Sequence, residues 1–150
     1  MRDWAATSNR EHPGKTSMPK GGSGMESYGV TVLRLVLGVI YIMHAYLAAF
    51  VYGPAGMAHF QRAHGVPFPE IGTWYVIAAH ALGGICLILG VLVRWAAIAN
   101  IPVMAGALFF VHLKQGFFMG KDGGYEYALL VLAATVAQAC LGAGAFTLRR

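Results

Sequence analysis

Residues 73–113 read TWYVIAAHALGGICLILGVLVRWAAIANIPVMAGALFFVHL, a run in which Arg94 is the single charged side chain. As one α-helix the run would reach about 60 Å at ~1.5 Å per residue, roughly twice the ~30 Å thickness of a bilayer's hydrocarbon. It must therefore fold back on itself. The segment GVLVR at 90–94 is the place: Gly90 can close a helix in the left-handed conformation, Arg94 can stay among headgroups, and Trp95 suits the interface. Two spans result, about Thr73–Leu89 and Trp95–Leu113.

Working outward, the run Val30–Tyr52 holds one Arg and one His among apolar and aromatic residues and is long enough to cross. A fourth run, Tyr125–Phe146, follows the turn GKDGG and stops before Arg149 and Arg150. The expected fold is all-α, an integral membrane four-helix bundle over residues 28–150. Between the first two spans lies GPAGMAHFQRAHGVPFPEIG, where Pro54 and Pro67 bracket about a dozen residues. A short interfacial helix fits this stretch, as does an irregular loop over the mouth of the bundle.

Composition points the same way. The 150-residue chain is 57% hydrophobic and 11% charged, and so few charges cannot cover a water-soluble globule. Residues Met1–Ser27 differ, being rich in Gly, Pro, Ser and Thr with scattered Lys and Arg. They cannot bury enough to offset their ordering entropy and read as a flexible cytoplasmic tail, not a secretory signal, because a long polar stretch precedes the first apolar run. The net charge of +5 does not imply nucleic acid, since Lys and Arg gather at the ends of apolar runs and orient helices. The tail, the turn at Arg94 and the final Arg149 and Arg150 outweigh Arg62, Lys114 and Lys121 on the other side. Both termini are thus expected in the cytoplasm. Cys86 and Cys140 lack CxxC spacing and read as small fillers. Abundant Gly and Ala, among them Gly38, Gly83, Gly84 and Gly106, predict closely packed helices with little room for a wide pore.

Ionisable groups at membrane depth need a partner or a task. His44 lies ~12 Å before the end of the first span and His80 ~10 Å after the start of the second. The two histidines share one level on adjacent antiparallel helices, so hydrogen bonding, a shared ligand or a bis-imidazole haem can be placed between them. At the outer surface His112 and Glu126 arrive from the third and fourth spans as a possible pair. On the cytoplasmic side Arg34 can snorkel to headgroups or join Asn100 in holding an anion or a quinone carbonyl, helped by a carbonyl that Pro102 frees. Tyr41, Tyr52, Trp74, Tyr75 and other aromatic residues serve as interface belt, core or the walls of a flat-ring pocket. No Walker loop, dinucleotide fingerprint, catalytic triad or zinc signature is present.

LRLVLGVIYIMHA at 33–45, GVPFP at 65–69, LGGICLILGVLVRWAA at 82–97 and VHLKQGFFMGKDGGYEYALLVL at 111–132 resemble the DoxX family of small bacterial membrane proteins, over about residues 30–147. The resemblance implies a four-helix bundle and an association with redox chemistry, some relatives being similar to subunits of quinone-linked oxidoreductases such as those of thiosulfate oxidation. Arg34, His44, His112, Gly116, Phe117 and Glu126 match positions that the family pattern features. His80 departs from it, standing where relatives commonly carry an acidic residue. The functions expected are an accessory subunit of a membrane redox or energy-converting complex in the bacterial inner membrane, in contact with lipid and other membrane subunits, or a quinone-linked oxidoreductase subunit with His44, His80, Arg34 and Asn100 around the ring. A small-solute or proton transporter is a third class, although four short spans show no inverted repeat.

Overall fold

The first apolar run becomes helix α1, Gly24–Tyr46, which continues without a break into a π-helical turn, Leu47–Val51. The computed structural model describes residues 24–121 and 123–148; the segment 1–23, Asp122 and the terminal Arg149 and Arg150 invoked above lie outside them. α1 begins six residues before the expected Val30, with Glu26 in its first turn, where the helix dipole favours an acid. Pro54, in the first turn, starts α2, Gly53–Ala63, so the connecting segment is helical. Pro69 opens α3, Pro69–Leu89, which ends as expected at Gly90 with φ 72°. Leu92, also left-handed at φ 47°, starts α4, Val93–Gly106, which runs on through a π-helical segment, Ala107–His112, and a 3₁₀ turn, Leu113–Gln115. The last helix, α5, is Glu126–Leu141.

Among the described residues, three helical stretches, Gly24–Val51, Pro69–Leu89 and Val93–Gln115, are long and apolar enough to cross a membrane. Their apolar windows are only 33%, 33% and 28% buried inside the protein. Val32, Val39, Phe50, Leu82 and Leu130 face outward, a surface that water would penalise and lipid would not. α1 packs chiefly on α3, and α4 on α5 and α3. Leu37, Tyr41, Leu87, Val93, Met104 and Val131 form the core between them.

α1 and α3 meet through glycine. A Cβ added to Gly38 would stand 2.7 Å from Ile88 Cγ1 and 3.0 Å from the Gly84 carbonyl, and one added to Gly84 would stand 2.9 Å from the Gly38 carbonyl. Only hydrogen fits at this crossing, the small-residue contact that membrane helices favour.

The fourth run departs from its expected extent. α5 stops at Leu141, and residues 142–148 turn back instead of continuing to Phe146, through positive φ at Gly142, Gly144 and Phe146. This returning segment lies on the start of α1. The Ala145 N–H donates to Thr31 Oγ1 at 2.8 Å, the Thr31 hydroxyl lies 2.9 Å from Ala145 O, and Leu148 N–H reaches Leu89 O at 3.3 Å.

Candidate functional site

Arg34 neither snorkels nor meets Asn100. It is 1% exposed, and its guanidinium donates to Ala143 O and Phe146 O, both at 3.0 Å. The physical reason is the returning segment, whose turned backbone directs carbonyls inward that need donors. Gly90 lies against the same guanidinium, so close that a Cβ would strike Nη1. Arg34 therefore fastens the C-terminal segment and is remote from the partners of Asn100. Gln138 of α5 donates to its own helix end at Gly142 O.

His112 and Glu126 do not pair. His112 Nδ1 lies 2.8 Å from Gln115 Oε1, one turn along its own helix, and Glu126 Oε1 accepts the Met119 N–H at 2.7 Å. The loop between them supplies a backbone donor that needs an acceptor, and Glu126 at the start of α5 is the nearer one. The backbone bonds Tyr125 N to Gly116 O and Glu126 N to Phe117 O, both 3.0 Å, close the loop on itself.

His44, His80 and Asn100 do come together. The two imidazole rings stand 6.1 Å apart between centres, edge to face. His80 Nδ1 lies 2.6 Å from Asn100 Oδ1, while Asn100 Nδ2 reaches Ala79 O at 3.0 Å and Ala96 O at 2.8 Å. Asn100 is fully buried, wedged against Gly83, where a Cβ would collide with its amide nitrogen. Tyr41 stacks on His80 with ring centres 4.8 Å apart and is hydrogen-bonded through its hydroxyl to Thr135 on α5. Pro102 cannot donate to the carbonyl four residues back, and in this loosened turn the neighbouring Ala99 carbonyl accepts the Tyr75 hydroxyl at 2.7 Å.

Tyr41, His44, Tyr75, His80 and Pro102 line a cavity of about 700 Å³, and Asn100 and Thr135 stand behind its wall, bonded to His80 and Tyr41; the sequence had offered both close packing and a flat-ring pocket. It extends from Phe60 and Gln61 on α2, past His44 and His80, to Val131 on α5, with His112 at its edge. Most of its wall is apolar. Both π-helical segments border it, through Leu47 and Ala48 on one side and Ala107 and Val111 on the other. Of the aromatic residues read as belt, core or pocket wall, Tyr41, Tyr52 and Tyr75 line it and Trp74 does not. Thr135 and Gln61 were not singled out. A lone hydroxyl within the apolar run ALLVLAATVAQ was the available signal for Thr135, and Gln61, 4% exposed between the exposed Phe60 and Arg62, had none.

The DoxX family model matches residues 29–113, which carry α1 to α4 and the His44, His80 and Asn100 cluster. A protein of Haemophilus influenzae described as an uncharacterized protein is 33% identical over 123 residues, covering 81% of this chain and 88% of that one. No solved structure matches. With more than half of the chain matched by the family model, and three apolar helices able to cross a bilayer, the protein belongs to the DoxX family of membrane proteins.

Proposed function

We propose that this protein is a four-span subunit of a redox complex in a bacterial cytoplasmic membrane, and that its part is to hold a quinone-type ring beside His44 and His80. The cavity carries the reading. Its ~700 Å³ falls within the usual ~300–1,000 Å³ of small-molecule sites, and the neighbouring imidazoles of His44 and His80 stand in a mostly apolar wall. A flat ring can lie against the imidazoles, and an apolar tail can follow Leu47, Val76 and Val103. Arg34 has no place in this pocket, being committed to the C-terminal segment.

On this reading α5, about 24 Å long at ~1.5 Å per residue, is the fourth span, with Tyr125 and Tyr127 at its interfacial end. α2 lies in the interface over the cavity. Arg94 and the basic ends of the sequence share one side, so both termini are cytoplasmic. The protein purified in mild detergent should retain a quinone that solvent extraction and chromatography detect. His80→Ala and His44→Ala should each lower that content severalfold, and unchanged content in both would remove the reading. Partners that co-purify at native expression test the subunit role; a lone, monodisperse protein argues against it.

A further inference from the structure

The hydrogens at the histidine level of the cavity can be traced one by one. Asn100 Nδ2 approaches two backbone carbonyls, Ala79 O and Ala96 O, and a carbonyl only accepts, so both amide hydrogens are committed there. The other amide atom is then the oxygen, and His80 Nδ1, 2.6 Å away, must be the donor. In the neutral imidazole the remaining nitrogen, Nε2, carries a lone pair and no hydrogen. His44 obeys the same rule. Its Nδ1 lies 2.8 Å from Ile40 O and donates to it, which leaves Nε2 as an acceptor. The Thr135 hydroxyl donates to Val131 O at 2.6 Å, so the bond between Tyr41 and Thr135 uses the Tyr41 hydrogen. The Tyr75 hydrogen goes to Ala99 O. Toward α2, Gln61 adds a buried oxygen without a partner.

Every hydrogen whose destination is given at the histidine level is thus held by the protein itself, and what the two imidazoles turn to an occupant is lone pairs. We infer that the cavity selects its ligand by hydroxyl donors, taking the hydroquinone state of the ring, with a hydroxyl for each Nε2, in preference to the quinone. Quinone carbonyls would set oxygen lone pairs against nitrogen lone pairs and leave both imidazoles unpaired. This rests on the quinone-type ligand proposed above and specifies which state of it the site holds.

Competition binding to the wild-type protein in nanodiscs, under anaerobic conditions, tests it with four short-tailed ligands: a hydroquinone, its monomethyl ether, its dimethyl ether and the parent quinone. The diol should bind tightest, the monoether about tenfold more weakly, and the diether and quinone weaker again, since each donor removed leaves an acceptor unpaired. His44→Phe keeps an aromatic ring and should erase about one tenfold step of the diol's advantage. ¹⁵N spectra of the imidazoles should show Nδ1 protonated and Nε2 bare in both histidines. Quinone binding as tight as diol binding, or an Nε2-protonated His80, overturns the inference and leaves the quinone pocket standing. If none of the four binds, the pocket reading fails and the inference with it.

Discussion

Replacing Gly84 by alanine places a methyl group 2.9 Å from the Gly38 carbonyl and 2.8 Å from Ile42 Cγ1. Ordinary contact begins near 3.4 Å, so α1 and α3 must separate by about half an ångström, and the obstacle is backbone, which no rotamer change relieves. Overpacking of this kind costs about 1–3 kcal/mol. The same substitution gains about 1 kcal/mol of helix propensity, which obscures the effect in a single variant. Gly29→Ala supplies the reference, because Gly29 likewise lies within a helix, α1, and a Cβ there meets nothing within 4 Å. The propensity gain cancels between the two, and the difference in unfolding free energy should be about 1–3 kcal/mol, Gly84→Ala being the less stable. Reversible unfolding in mixed detergent micelles, followed by circular dichroism, measures it. A Gly84→Ala protein as stable as Gly29→Ala would refute the close crossing, and with it the spacing of His44 and His80, each within two turns of it.

Three further outcomes follow from the same contacts. If the site prefers the diol to the quinone about a hundredfold, one tenfold step for each donor, the two-electron midpoint of the bound quinone couple should rise by about 60 mV over the free couple, and spectroelectrochemistry that finds it unchanged or lower contradicts the preference. A double-mutant cycle should give about 0.5–1.5 kcal/mol of coupling between His112 and Gln115, and none measurable between His112 and Glu126. Truncation after Gly142 should cost on the order of 3–5 kcal/mol of unfolding free energy by leaving the Arg34 guanidinium without its two carbonyls, and Arg34→Met should recover part of that loss; a truncated chain of full stability would place the Arg34 partners elsewhere.

The helical runs were legible because lipid exposes them: each apolar stretch has to be a helix, and length divides a run too long for one crossing. Gly90 was legible as a helix end for a local reason, its freedom at positive φ. The shared level of His44 and His80 came from counting rise along two antiparallel helices, a regular quantity. What escaped was irregular backbone. GAGAF at 142–146 reads as a continuation of an apolar helix, yet three left-handed residues reverse it, and the carbonyls it presents to Arg34 carry no side-chain signature. The His112 and Glu126 expectation failed similarly. Both reach the same end of the bundle, but the Met119 N–H that claims the carboxylate belongs to a backbone whose path the residue types do not state.

The size of the cavity was not legible, for a reason that also explains why it exists. α1 and α3 touch at Gly38 and Gly84, where nothing but hydrogen separates their backbones. One turn nearer α2 the inward positions are Tyr41 and His80, and beyond them His44 and Val76, so the filling between the helices grows from hydrogen to aromatic rings within two turns. At that same end α1 and α4 both change to π-helical turns, which widen the helix and redirect its side chains. Beyond the glycine crossing the side chains leave the space of the cavity unfilled. α2 covers the opening, held by Gln61 against Gly72, where a Cβ would meet the amide oxygen at 2.5 Å. The glycines that line no part of the pocket therefore set its width, and the residues that line it act within limits the crossing imposes. Gly72→Ala disturbs only the cover, so it should change ligand binding while unfolding stability shifts little; equal losses in both would mean that α2 belongs to the same packed unit as the crossing.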